Sequence, residues 1–340
     1  MTSAIVTMNR RQEHLYMNAA VVRSFDAPPV YTSFAEPVAG EGEVLVDVVA
    51  AGLHPIVKAL ANGSHYGSTG TLPFIPGVDG VGRRQDGKYI YFGMSRPPFG
   101  TFSERALASR RMSIEVPDGL DPITVAAIAN PGMSSWVALT RRAKLVSGEN
   151  VLILGATGVA GQLAVQIARH LGAQRIVAAG RNPKVLEALK SLGADATISL
   201  DQERDSLVSA IRGTWAEAPI SVVIDYLWGQ PAEALFEAVS QKGLQHGTSR
   251  VRFVQVGESA GKKISLAAAT LRSTAIELLG SGFGSASIDE IFRALADFFQ
   301  VAAKSPLKIN PKAVPLRDVE ALWNSPEKGA RLVFLPSQNG

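Results

Sequence analysis

The stretch Val151-Leu-Ile-Leu-Gly-Ala-Thr-Gly-Val-Ala-Gly-Gln-Leu-Ala-Val-Gln-Ile-Ala-Arg169 leaves this chain few folds to choose from. Val151 to Leu154 is a short apolar run with no helical stripe, closed by glycine, and it reads as a buried parallel strand. From Leu163 the apolar residues Leu163, Ala164, Ile167, Ala168 and Leu171 fall on one helix face. Gly155, Gly158 and Gly161 stand between the two. Glycine permits a tight turn and lets the backbone approach a pyrophosphate, while small residues let helix and strand pack closely. The turn Thr157, Gly158, Val159 and Ala160 then offers free N–H groups at the positive end of the helix dipole. Strand, glycine turn and helix together imply a dinucleotide site in a βαβ unit.

The next strand specifies the dinucleotide. Arg175 to Ala179 ends in Gly180, Arg181, Asn182, Pro183 and Lys184. A site for NAD usually places a carboxylate there to accept the ribose 2′-OH. Here Arg181 and Lys184 stand in its place, and a ribose phosphate would meet cations, with Arg able to grip it through two N–H groups. The residues predict NADPH as cofactor; the other reading is a solvated charge pair opening the following helix.

A length of 340 residues points to two domains. Residues 17–126 show short strands and turns, as in the β-branched run Glu43 to Ala50, a strand candidate at Phe102 to Ala108, and a helix opening at Val125. Residues 127–303 alternate strand and helix, with strand runs at Val151–Leu154, Arg175–Ala179, Ala196–Ser199, Ser221–Ile224, Arg252–Val256 and Ile276–Leu279. That alternation predicts an α/β fold, a Rossmann-type doubly wound parallel sheet with its ligand at the carboxyl ends of the strands. Val256, Gly257 and the loop carrying Phe283 follow two such ends and are expected to wall the nicotinamide. Residues 304–340 read as a return to the first module, ending in a strand from Lys328 to Leu335.

Composition removes other classes. There is no Cys, so disulfides, thiolate catalysis and cysteine-ligated zinc are excluded, which fits a cytoplasmic enzyme. A balance of 34 basic against 30 acidic residues without a dense basic cluster gives no support to nucleic-acid binding. No run approaches the roughly 20 apolar residues of a membrane span. Residues 1–16 lack the apolar core of a secretory signal and read as an extension outside the fold.

Together these pieces resemble the medium-chain dehydrogenase/reductase superfamily from Met17 to Leu335. The motifs are Gly42-Glu-Val-Leu-Val, Ala50-Ala-Gly-Leu-His-Pro, Pro76-Gly-Val-Asp-Gly, the turn from Gly155 to Gly161, and Leu192-Gly-Ala-Asp. The resemblance implies a GroES-like β-rich catalytic domain beside the nucleotide domain, with the substrate in a cleft between them. Within the family the chain is similar to the zinc-free quinone oxidoreductases and enoyl reductases. Positions that carry zinc ligands in the alcohol dehydrogenases hold His54, Val78 and Asn130 here, with Asp79 at an acidic position; valine cannot bind a metal and Asn is a poor zinc ligand. No metal is expected.

Without a Lewis acid, an activated double bond or a quinone is the easier hydride acceptor, because the developing oxyanion needs only hydrogen-bond donors. Tyr66 matches the loop position of a catalytic tyrosine in this branch; the same residue also reads as a tyrosine packed for shape. His54 and His65 are weaker candidates. Asn130 and Ser134 match the passage between the two domains beside the nicotinamide, where Asn130 either hydrogen-bonds substrate or cofactor or caps the helix that continues to Leu139, and Ser134 faces the cofactor. The expected activity is NADPH-dependent reduction of quinones or α,β-unsaturated carbonyl compounds. A 2-enoyl-thioester reductase and a non-catalytic NADPH-binding sensor are the alternatives. The family resemblance implies a homodimer.

Overall fold

The computed structural model describes residues 16–240, 249–326 and 330–336. In chain order the elements are β1 (Tyr16–Val21), β2 (Val30–Ala35), β3 (Glu43–Gly52), α1 (Pro55–Ala61), β4 (Asp79–Arg83), β5 (Tyr89–Gly93), β6 (Arg105–Ser109), β7 (Ser113–Glu115) and α2 (Pro122–Val137). They continue as β8 (Asn150–Leu154), α3 (Val159–His170), β9 (Arg175–Gly180), α4 (Pro183–Lys190), β10 (Ala196–Ser199), α5 (Arg204–Glu217), β11 (Val222–Asp225), α6 (Gly229–Val239) and β12 (Val251–Gln255). The last are α7 (Ala268–Ser273), β13 (Ile276–Gly280), α8 (Ile288–Lys304), β14 (Pro311–Pro315), α9 (Val319–Leu322) and β15 (Arg331–Leu335).

The chain divides into two compact units, one of Met1–Asn130 with Phe299–Gly340 and one of Pro131–Phe298. In the first, β3 anchors a seven-stranded sheet in the order β14-β15-β3-β4-β5-β7, with β6 also on β3. Its β-branched run has Val46 and Val48 buried while Asp47 stays exposed, the alternation of a one-sided strand. Parallel β14 and β15 join antiparallel to β3 through Val333 and Phe334, so the C-terminal strand completes this unit. Met17, Val21, Val46, Phe92, Phe102, Trp323 and Phe334 belong to its core.

The second unit is one parallel sheet in the order β10-β9-β8-β11-β12-β13. Strand β8 pairs with β9 on one side and β11 on the other, so the chain reverses its direction of winding there, and ligands of such sheets bind at that point. Leu152, Val177, Val223, Leu235 and Phe253 are among the buried side chains between sheet and helices.

Several boundaries differ from the sequence reading. The strand expected at Phe102 begins at Arg105, because Phe102 donates its N–H to Pro76 and accepts from Ala20 instead of entering the ladder. Helix α2 opens at Pro122, three residues before Val125, since proline is well placed in a first helical turn. Tyr16 belongs to β1, not to an extension; residues 1–15, and 328 and 329 of the expected last strand, lie outside the described residues.

Candidate functional site

The turn between β8 and α3 is built almost wholly from backbone. Gly155 sits at φ 89°, a conformation that disfavours any side chain. Its N–H and that of Ala156 both donate to the carbonyl of Ala179, at 3.0 and 2.9 Å, tying the turn to the end of β9. A Cβ at Gly161 would run into the carbonyl of Gly155 and lie 2.5 Å from Cα of Ala156, so the helix descends directly onto the turn. Gly158 is the N-cap of α3, and no side chain caps the helix. No acidic residue lies in its first turn, where the N–H groups of Val159, Ala160 and Gly161 have no intrahelical acceptor. This cradle of open N–H groups, with Gly158 exposed and Thr157 and Ala160 half-buried, fits a diphosphate.

The end of β9 lies against it. Thr157 occupies the space a Cβ at Gly180 would need, so the two loops meet, and Leu200 donates to the Gly180 carbonyl at 2.8 Å. Asn182 caps α4, accepting the N–H groups of Lys184 and Val185 at 3.1 and 3.2 Å, with Pro183 in the first turn. The side chains of Arg181 and Lys184 are therefore not used by the cap. Both are exposed, and neither joins an ion pair among the described residues. A phosphate on the ribose fits two uncommitted cations at that strand end.

The end of β11 holds what the sequence reading missed. The carboxylate of Asp225 is buried and accepts the N–H of Leu227 at 2.8 Å and that of Trp228 at 3.1 Å. Burial pushes this carboxyl up to about 6, against the opposing pull of those N–H groups. Trp228 is held at φ 55°, where a bulky residue is strained. The Asp225 carbonyl receives Val256 and Gly257 N–H at 2.7 and 3.1 Å, which fastens β12's end to β11's. Tyr226 places its hydroxyl 2.7 Å from Ser135 Oγ, and Ser135 also reaches the carbonyls of Pro131 and Ala160 at 2.9 and 3.2 Å. Withdrawal from water pushes the phenol up to about 12, while the hydroxyls of Ser135 and Ser134 pull it down. Ser134, Ala160, Val256 and Gly257 are thus brought together around Tyr226. The signal available in the sequence was Asp225-Tyr-Leu-Trp-Gly229, directly after a strand run.

Phe283 is 41% exposed in a loop bracketed by Arg142, which donates to the carbonyls of Gly280 and Ser285 at 2.7 and 3.2 Å. In the first unit Tyr66 is 78% exposed, its ring stacked on His65 at 4.2 Å. His65 Nδ1 accepts the N–H of Gly67 at 3.0 Å. Asn130 does not cap a helix; it lies inside α2, one residue before Pro131, and the helix continues to Val137. No hydrogen bond or ring contact joins Tyr66 to Asn130 among the described residues.

His54 is fully buried, with Nε2 at 3.4 Å from Asp79 Oδ1. Tyr91 donates to Asp79 Oδ2 at 2.8 Å. Burial pushes Asp79 up to about 7 and holds His54 well below its ordinary value. Val78 offers no side-chain donor, and among the described residues no group of three or more His, Cys, Asp or Glu could hold a metal.

The family described as zinc-binding dehydrogenase matches residues 159–300. Positions 54, 78 and 130 all fall outside that match. A probable NADPH-dependent quinone reductase of Emericella nidulans is 27% identical over 94% of this chain and 100% of its own length. A trans-enoyl reductase of Aspergillus terreus is 27% identical over 59% of each chain. The quinone oxidoreductase of Thermus thermophilus, whose structure was solved free and with NADPH, superposes with a TM-score of 0.78 at 25% identity, over 94% of this chain and 100% of that one.

Proposed function

We propose, for a chain that belongs to the medium-chain dehydrogenase/reductase superfamily and its quinone oxidoreductase-like members, that the protein reduces quinones or α,β-unsaturated carbonyl compounds with NADPH. The observation that carries this reading is the open N–H cradle of α3 beside a strand end with two uncommitted cations. When bound, NADPH supplies the hydride. Thr157, Gly158, Val159 and Ala160 would hold its diphosphate, and Arg181 and Lys184 the ribose phosphate. Ser134, Gly180, Val256, Gly257 and Phe283 would line the remainder.

Tyr66 would donate to the oxygen that becomes negative as hydride adds to the conjugated carbon, and Asn130 would hydrogen-bond the substrate. An exposed phenol is free to reach an acceptor. The reaction is metal-independent on this reading, since Val78 offers no ligand and His54 is buried against Asp79. Elemental analysis of chelator-free protein is expected to find no stoichiometric zinc. We also propose a cytoplasmic location, which a chain without Cys fits. Strand β13 is a sheet edge with Leu278 exposed, which supports a homodimer built through this unit.

Loss of NADPH absorbance with a panel of quinones, enones and enoyl thioesters tests the activity, and binding without oxidation of any of them would sink it. Arg181→Glu is expected to raise the KM for NADPH by about 100-fold, on the order of 3 kcal/mol for a lost charge-assisted pair replaced by repulsion. The KM for NADH should move by less than about threefold. Equal changes would remove Arg181 from the phosphate site.

A further inference from the structure

The hydroxyl pair of Tyr226 and Ser135 lies beneath the cradle and joins three elements far apart in sequence. Tyr226 is the first residue after β11, at the reversal point of the sheet. Its backbone carbonyl accepts the Ser259 hydroxyl at 3.1 Å, and its Cβ stands 3.2 Å from where a side chain at Gly155 would begin. The residue is therefore fixed at its main chain before its ring is considered. Asp225, one position earlier, locks the following turn through Leu227 and Trp228.

One serine hydroxyl serves several oxygens here. Ser135 has one hydroxyl hydrogen and three oxygen neighbours: Tyr226 Oη at 2.7 Å, the Pro131 carbonyl at 2.9 Å and the Ala160 carbonyl at 3.2 Å. A carbonyl cannot donate, so when the Ser135 hydrogen goes to one of the two carbonyls the phenol is the donor of the 2.7 Å bond, and either hydroxyl can serve that bond. Ala160 belongs to the first turn of α3, whose N–H groups form the cradle. Pro131 lies inside α2, where the neighbouring Ser134 hydroxyl also donates to its carbonyl, at 2.8 Å. One phenol thus holds the end of β11, the serine pair of α2 and the opening turn of α3 in fixed relation.

We propose that Tyr226 and Ser135 are positioning residues for NADPH, setting the first turn of α3 and Ser134 at the place where the dinucleotide is received. The inference rests on the NADPH reading above. Neither residue need touch the reacting atoms. Their effect belongs to cofactor affinity, because a cradle that must be ordered on binding loses affinity for its ligand.

The experiment is direct titration of NADPH into Tyr226→Phe, Ser135→Ala and Ser135→Thr, with steady-state rates at saturating NADPH. Tyr226→Phe and Ser135→Ala are each expected to weaken NADPH binding by about tenfold while kcat stays within about twofold. Ser135→Thr keeps the hydroxyl and should bind within about threefold of the parent. A double Tyr226→Phe, Ser135→Ala protein should bind no more weakly than either single variant, since both remove the same link. Unchanged affinity in the single variants, or a fall in kcat with affinity intact, overturns the proposal. A residue serving stability alone would lower the unfolding midpoint without this split. If Tyr226→Phe does not fold, Ser135→Ala read against Ser135→Thr decides the question. Failure of the parent protein to bind NADPH would instead strike the functional reading.

Discussion

Each unit of the molecule buries a carboxylate that water would prefer to keep, and the two are satisfied in different ways. Asp225 closes β11 and gives its oxygens to backbone N–H groups two and three residues further on. Asp79 opens β4 and receives one side-chain hydroxyl, from Tyr91, while its other oxygen faces His54 without a hydrogen bond. The first arrangement is architectural: the acid exists to hold a turn at a strained φ. The second is a small group of titratable side chains packed together, in which the ionisation of one bears on the other. The difference teaches that burial alone does not say what a carboxylate is for. Its acceptor list does.

The largest effect expected from this contrast is at Asp225. Asp225→Ala removes the acceptors of two N–H groups and the support of Trp228 at once, and should cost about 2–4 kcal/mol of stability at pH 7. Urea unfolding followed by tryptophan fluorescence measures it. A cost below about 0.5 kcal/mol would show that the turn holds itself, and the contrast between the two acids would fail.

At Asp79 the effect should be in pH dependence. Its carboxyl is pushed from 3.8 up to about 7, so between those values the folded protein holds a proton that the unfolded chain has released. Stability contributed in this way is full at low pH and falls as pH rises toward 7, by at most about 1.4 kcal/mol per pH unit. His54 works with the opposite sign. Held well below 6.5, it stays neutral when folded while the unfolded chain takes up a proton, so stability falls as pH drops below 6.5. Asp79→Asn keeps an acceptor for Tyr91 and removes only the first effect. The variant should therefore gain stability relative to the parent as pH rises from 5 to 8. Parallel stability curves for the two proteins across that range would place the proton elsewhere.

The glycine turn of the candidate cofactor site was legible because its requirements fall on the backbone. A turn at φ 89° and a helix descending onto it dictate glycine at 155 and 161, and residue type is what a sequence records. Arg181 was legible for the same reason, as a cation at the end of a strand that could be located by its apolar run. The Tyr226–Ser135 pair was not, because its members are 91 positions apart and only the folded unit brings them together. Asn130 misled in the opposite way. Asparagine before proline suggests a helix boundary, yet the surrounding apolar residues keep α2 continuous through Pro131. In the β-rich unit Phe102 bonds outside the ladder, a choice made by Ala20 and Pro76 and invisible in its own neighbourhood.

The smallest effect tests the remaining partner in the first unit. Both ring nitrogens of His54 lack hydrogen-bond partners although the side chain is fully buried. Such atoms carry a desolvation cost that an apolar side chain of similar size does not, so His54→Leu should stabilise the protein by about 1 kcal/mol, provided the new methyl groups fit. The gain should be larger below pH 6.5, where the unfolded parent chain is stabilised by taking up the proton. Thermal unfolding at pH 5.5 and 7.5, with turnover measured on the same samples, reads both quantities. A more stable protein with unchanged turnover would make His54 a tolerated core group, and leave Asp79 alone as the titrating acid of its unit. A more stable protein with lost turnover would reverse the contrast drawn above. The unsatisfied histidine would then be strain kept for the reaction, as stability is commonly given up where activity needs an uncompensated group.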